Sequence, residues 1–184
     1  MPSASKTKGN SFERDTAKRL SLWWGESFQR TPNSGALRWN GASWTYGDLL
    51  PPESFPAVVE CKHYKKIDTD AIMRLKPGDG NILGWWLEVQ EDAGRCYQET
   101  RVVVQPLLVY KANSVPRRLV LEEEFYAAMG GDSFKITYFL VSHQEMPGRF
   151  VIVDFEEFLQ QVSRELFLEA HRKVIPAALI EHAA

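Results

Sequence analysis

The chain has 184 residues, of which 44% are hydrophobic and 25% charged, and its net charge is −2. This composition is typical of a soluble globular protein, and the length predicts one domain. No apolar run approaches the roughly 20 residues that span a bilayer, and two cysteines without metal-type spacing argue against a disulfide framework or a zinc site.

The charge is distributed unevenly along the chain. Residues 1–76 hold 12 Lys/Arg and 8 Asp/Glu, for +4, whereas residues 77–184 hold 10 and 16, for −6. A basic first part is compatible with phosphate contacts but does not require them. The first ten residues contain no apolar signal-peptide core, so we expect a cytoplasmic protein.

The chain begins with a small, polar and basic segment, residues 1–8, which we expect to be a flexible arm. Apolar residues at helical spacing then predict a helix from Ser11 to Trp24, which Gly25 ends. Asn10 is the expected N-cap of this helix. Glu13 would then lie at the third helical position and complete a capping box.

A short edge strand over residues 27–31 and a long loop over residues 32–47 are predicted next. The loop is rich in Gly, Asn and Ser, and loops of this length inside a domain are usually functional or mobile. Arg30, Ser34 and Arg38 are polar groups that can contact a phosphate backbone. The alternative is that they belong to a solvated loop without a ligand.

The run Ala57–Val59 is short, partly β-branched and bounded by turn residues, which predicts a buried strand leading into Glu60-Cys61-Lys62. Side chains alternate along a strand, so Glu60 and Lys62 should share one face while Cys61 points to the other. Asp48 lies just before the Pro-rich turn that precedes this strand.

The rest of the chain predicts further helices and strands around a mixed sheet, and so an α/β fold. Pro106 in one predicted strand favours an edge or bulge position. The predicted helices are residues 68–75, 81–93, 122–129 and 154–171, the last capped by Asp154, and the predicted strands are residues 102–110, 117–121, 134–142 and 150–153.

Two carboxylates and a lysine near a strand end suit phosphodiester hydrolysis. Mg²⁺ is usually held by one or two carboxylates with waters and substrate phosphate. Asp48 and Glu60 supply the carboxylates, the backbone carbonyl of Cys61 can add an oxygen, and Lys62 can orient a water activated by the metal. The alternative is a plain salt bridge between Glu60 and Lys62.

These residues resemble the PD-(D/E)xK nuclease superfamily, and within it the archaeal-type Holliday junction resolvases with their phage-borne relatives. The resemblance covers residues 8–66, although Gly47 stands where the superfamily name has proline. The matching elements, in order, are Lys8-Gly9, Glu13-Arg14, Arg30, Ser34-Gly35, Asp48 and Glu60-Cys61-Lys62.

The resemblance implies a restriction-endonuclease-like core and a role for each matching residue. Asp48 and Glu60 would bind Mg²⁺, with Mn²⁺ as a substitute, and Lys62 would be the catalytic lysine. Glu13 would act through a metal-bound water, and Ser34 would contact the scissile region. The expected DNA-binding residues are Lys8, Arg14, Arg30, Arg38, Lys65 and Lys66.

The resemblance also implies a homodimer that cuts DNA four-way junctions. Residues 9–175 would form the nuclease domain, with an insertion over residues 77–100, a C-terminal helical extension and a tail over residues 176–184. Trp85, Trp86 and Leu87 are candidates for the dimer contact, with packing in the monomer core as the alternative. Other possible functions are a restriction-like, nicking or flap-cutting nuclease, or a non-catalytic DNA-binding module.

Overall fold

A mixed five-stranded β-sheet with helices on both faces forms the centre of the protein in a computed structural model, which describes residues 4–31, 46–67, 81–113, 115–142 and 148–175. The helices are α1 (Ala4–Trp24), α2 (Ile82–Thr100), α3 (Glu123–Ala128), α4 (Phe155–Gln161) and α5 (Arg164–Val174). The strands are β1 (Gln29–Arg30), β2 (Leu49–Leu50), β3 (Ala57–Tyr64), β4 (Gln105–Ala112), β5 (Arg118–Glu122), β6 (Tyr138–Ser142) and β7 (Arg149–Asp154). The predicted α/β class and mixed sheet are confirmed.

The strand order of the sheet is β3-β4-β5-β7-β6. β3 and β4 are parallel, and the remaining neighbours are antiparallel. A parallel pair needs a crossover connection, and α2 supplies it. The helix within the predicted insertion, residues 77–100, is therefore part of the connection between β3 and β4. Its status as an insertion relative to other nucleases stays a prediction.

The two faces of the sheet carry separate hydrophobic cores. One core contains α1 and the C-terminal helices, and the other contains α2. Trp85 and Trp86 are only 2% and 1% exposed and lie in the second core. Their prediction as a dimer contact is therefore wrong, because both rings are used inside the monomer.

The first helix starts earlier than the sequence suggested. α1 begins at Ala4, so Asn10 is an interior helical residue and the predicted N-cap is wrong. The arm predicted for residues 1–8 overlaps this helix from Ala4 onward, and its flexibility stays a prediction. The predicted end is confirmed, because Gly25 adopts a φ of +82° and its N–H bonds to the carbonyl of Ser21 at 3.0 Å.

Pro106 favours an edge or bulge position, and the edge is wrong, because β4 lies between β3 and β5. The N–H of Gln105 points toward β3, where it bonds to the carbonyl of Pro56 at 2.9 Å. The nitrogen of Pro106 therefore points the other way, toward β5. The paired register of β4 and β5 starts only at Leu108, so the missing N–H of the proline interrupts no ladder there.

The C-terminal helix predicted over residues 154–171 is two helices, α4 and α5. Asp154 caps α4 as predicted, since its carboxylate accepts hydrogen bonds from the N–H groups of Glu156 and Glu157. The chain then leaves helical geometry at Val162, and Ser163 caps α5. Three predicted segments lie outside the described residues: the helix over residues 68–75, most of the loop over residues 32–47, and the tail over residues 176–184.

In the described part of the chain, we find no helix with the length and apolar character that crossing a bilayer requires.

Candidate active site

The alternation along β3 divides its residues as predicted. Cys61 is buried in the core on the α1 side. Val58 and Tyr64 pack on the α2 side of the sheet. Glu60 and Lys62 lie at every second position between them, so their side chains point to the same face. The ammonium of Lys62 lies 2.9 Å from a carboxylate oxygen of Glu60. β3 is also the first strand of the sheet, so this pair lies beside a sheet edge.

Asp48 is held against that edge by two hydrogen bonds to the backbone of β3. Its N–H bonds to the carbonyl of Val59 at 2.9 Å, and its carboxylate accepts the N–H of Cys61 at 2.9 Å. Gly47 makes this approach possible, because it has a φ of +75° and a Cβ at this position would lie 2.5 Å from the carbonyl oxygen of Val59. A glycine is therefore required at the position where the superfamily name has proline.

The carboxyl group of Glu60 lies near enough to Asp48 for the charge of Asp48 to act on it. Burial, and then the charge of Asp48, raise the pKa of Glu60 well above its ordinary value, and Lys62 opposes that rise only in part. The site thus carries more negative charge than its own residues neutralise. A divalent cation bound by the two carboxyl groups would offset that charge.

Lys62 contacts a second carboxylate that the sequence analysis did not identify. Glu88, on α2, lies 2.7 Å from the ammonium. Burial acts to lower the pKa of Lys62, but Glu60 and Glu88 outweigh it and hold that pKa above its ordinary value. Lys62 is therefore a cation positioned between two anions.

Glu13 lies on the buried face of α1 and is 7% exposed. Burial, and then the charge of Asp48, raise its pKa, while its ion pair with Arg30 opposes this shift. Glu13 is therefore near Asp48, as the resemblance implies, and not at a helix N-terminus. Arg30 was predicted to bind DNA, and it lies beside the same carboxylates.

The other predicted DNA-binding residues differ in their surroundings. Arg14, Lys65 and Lys66 are exposed, and Lys8 donates a hydrogen bond to the side chain of Asn113. Ser34 and Arg38 lie outside the described residues.

Further contacts between α2 and the segment before Asp48 were also missed. The carboxylate of Asp92 accepts the N–H of Gly47 at 3.1 Å. Glu99 accepts the hydroxyl of Tyr46 at 2.5 Å, and the guanidinium of Arg95 lies over the ring of Tyr46. Polar residues at positions 88, 92, 95 and 99 recur at helical spacing, which is the only sequence signal for this face.

The described residues contain no group of three or more His, Cys, Asp or Glu side chains that could hold a metal. Asp48 and Glu60 fit Mg²⁺ as a two-carboxylate site completed by water and substrate oxygens. The N–H of Cys61 points toward Asp48. In a β-strand the N–H and the C=O of the same residue point to the same edge. The carbonyl of Cys61 therefore faces the side on which a cation would bind.

Comparison with known protein families gives a match over most of the chain. The model of a family described as "Phage putative PDDEXK endonuclease" matches residues 4–169. No curated protein and no solved structure matches the chain.

Proposed function

From the premise that this chain belongs to the phage PDDEXK endonuclease family, we propose that it is a metal-dependent, structure-selective DNA endonuclease and that its substrate is a four-way junction. The observation that carries the metal-dependent chemistry is the cluster of Asp48, Glu60 and Lys62 at the edge of β3, where Asp48 bonds to the N–H of Cys61 and the ammonium of Lys62 lies 2.9 Å from Glu60.

Each residue of the cluster has a task in this proposal. Asp48, Glu60 and the carbonyl of Cys61 would hold Mg²⁺, or Mn²⁺ in its place. When bound, the metal lowers the pKa of a coordinated water and stabilises charge on the phosphate. Lys62 orients the attacking water and neutralises the negative charge that develops at phosphorus. Glu13, buried near Asp48, would act through a water bound to the metal.

The choice of substrate rests on the resemblance to junction resolvases and on exposed basic residues near the site. Arg14, Lys65 and Lys66 are available for backbone contacts, which position an enzyme by the shape of the DNA rather than its sequence. The cutting of paired strands is the reason to propose a homodimer, because a C2 dimer presents two equal sites. We place its action in the cytoplasm of the phage host.

The dimer requires a surface other than Trp85 and Trp86. β6 is an edge strand whose Phe139 and Leu140 are exposed, and an uncharged open edge is suited to contact with another chain. Sedimentation at micromolar protein tests the assembly. A monomer, both free and bound to a junction, would contradict the dimer and favour a nicking or flap-cutting nuclease.

The decisive assay is cleavage with Mg²⁺ of a four-way junction, a flap and a linear duplex of shared sequence. Selective paired cuts in the junction support the proposal. Preference for the flap or the duplex would replace the resolvase by another nuclease of the superfamily. Binding without cleavage in Mg²⁺ or Mn²⁺ would favour the non-catalytic alternative.

A further inference from the structure

We propose that Glu88 is a positioning residue that keeps Lys62 at the catalytic position when a metal is bound, an inference that rests on the proposed nuclease function. The two residues belong to different elements, α2 and β3, and lie 26 positions apart in the chain. Their contact at 2.7 Å is therefore a product of the tertiary fold.

Two anions of the described residues share the ammonium of Lys62. Glu60 lies 2.9 Å from the ammonium, and Glu88 lies 2.7 Å from it. Glu60 also faces Asp48, so in the proposed function it is a metal ligand. A carboxylate that binds a divalent cation attracts a lysine less, and the cation itself repels the ammonium. Of the two carboxylates that contact Lys62 in the described residues, Glu88 is then the one that remains to hold it.

The position of Glu88 is fixed by the helix that carries it. Trp85, Trp86 and Val89 are buried on neighbouring positions of α2, so this part of the helix cannot rotate without disturbing the core. A lysine side chain has several rotatable bonds and loses much conformational freedom when it is held in one position. A carboxylate on a fixed helix provides that restraint.

The same helix face also contacts the segment that carries the other acid. Asp92 lies one turn after Glu88, and residues four apart on a helix share a face. Its carboxylate accepts the N–H of Gly47, the neighbour of Asp48. α2 thus contacts both segments of the site, with Glu88 on the lysine and Asp92 on the turn before Asp48.

A second interpretation is that the contact between Glu88 and Lys62 inhibits cleavage, which predicts the opposite effect of removing Glu88. Glu88 would be inhibitory if it drew the ammonium away from the attacking water, and its removal would then accelerate cleavage. A solvated ion pair without functional effect is a third possibility, because the side chain of Glu88 is 52% exposed.

Single-turnover cleavage with saturating Mg²⁺ and DNA separates these possibilities. Glu88→Ala should slow the chemical step about tenfold, since the effect is a coupling between neighbouring side chains. A series of single-turnover measurements at lower enzyme concentrations should give an unchanged half-saturating concentration. Glu91→Ala is the matched control, because it removes an exposed carboxylate from the same helix, and it should cleave at the wild-type rate. In a Lys62→Met background Glu88→Ala should have no further effect, whereas a general loss of structure would persist.

An unchanged or increased rate in Glu88→Ala would overturn the proposal. A second readout does not need cleavage: nitrogen-15 NMR of the lysine ammonium groups, with Lys62→Arg to assign the signal. In Mg²⁺ the Lys62 signal should stay sharp and distinct in the wild type and in Glu91→Ala, and it should broaden or shift in Glu88→Ala. Equal signals in all three would refute the inference, even if no DNA were cut. An intact contact in a wild type that cuts none of the DNAs would instead refute the proposed function.

Discussion

Gly47 offers the sharpest test of how Asp48 is held. In Gly47→Ala the new Cβ would lie 2.5 Å from the carbonyl oxygen of Val59, and 3.0 Å from its carbonyl carbon and from a methyl group of Val58. Ordinary van der Waals contact begins at 3.4 Å. The turn must therefore move away from β3, and Asp48, the next residue, moves with it.

The cost can be estimated from three contributions. A side chain at a φ of +75° costs about 1 kcal/mol. The overpacking against β3 costs about 1–3 kcal/mol. Weakening of the 2.9 Å hydrogen bond from the N–H of Asp48 to Val59 costs about 1 kcal/mol more. The total is about 3–5 kcal/mol, or roughly a 10 °C decrease in Tm for a chain of this size.

Gly25→Ala is the matched control for this experiment. Gly25 has a φ of +82°, but nothing lies within 4 Å of a Cβ placed there. Gly25→Ala should therefore lower the free energy of unfolding only by the backbone contribution of about 1 kcal/mol, and Tm by a few degrees.

Activity per folded molecule provides the second measurement. A shift of about 1 Å at a metal ligand should slow cleavage about 100-fold in Gly47→Ala, whereas Gly25→Ala should cleave normally. Both variants would be compared by thermal unfolding and by single-turnover cleavage below their Tm. If Gly47→Ala were as stable and as active as Gly25→Ala, the close approach of Gly47 to β3 would not be what positions Asp48.

The remaining predictions concern the acids, the lysine and a buried histidine. Asp48→Asn and Glu60→Gln should abolish cleavage and leave DNA binding within a few-fold, and near-normal cleavage in either would end the proposal of a metal site. Lys62→Ala should slow cleavage about 100-fold, and full activity per folded molecule would reduce its ion pair to a structural role. Mg²⁺ should raise Tm more at pH 8 than at pH 6, because the raised pKa of Glu60 means that the metal must displace a proton at the lower pH; equal shifts would argue against Glu60 as a ligand. Burial, and then Arg172, lower the pKa of His171 to about 4. The unfolded chain therefore binds a proton here before the folded protein does, so the free energy of unfolding is unaffected above pH 6.5 and decreases as the pH falls from 6.5 toward 4. In His171→Gln the acid-dependent decrease in the free energy of unfolding should be smaller by on the order of 1–2 kcal/mol, allowing for solvent screening. An unchanged pH profile of unfolding would contradict this prediction.

Several features of the fold followed from local patterns. The alternation along β3, the apolar stripe of α1 and the cap at Asp154 depend on residues that are near one another in sequence, so their periodicity and chemistry could be read directly. The start of α1 could not be predicted in this way, because a polar first segment can extend a helix whose apolar face is packed farther along the chain.

The sequence by itself determined which residues of β3 share a face, and the order and spacing of Asp48, Glu60 and Lys62 that make them candidates for one site. It could not determine the contribution of α2. Glu88 and Asp92 reach Lys62 and Gly47 only because the parallel pairing of β3 with β4 makes α2 cross one face of the sheet. The sequence around a charged residue on a helix surface does not predict its ion-pair partner when that partner is distant in the chain. The packing of Trp85 and Trp86 against the sheet fixes the rotation of the helix, and that rotation decides which carboxylates face the site.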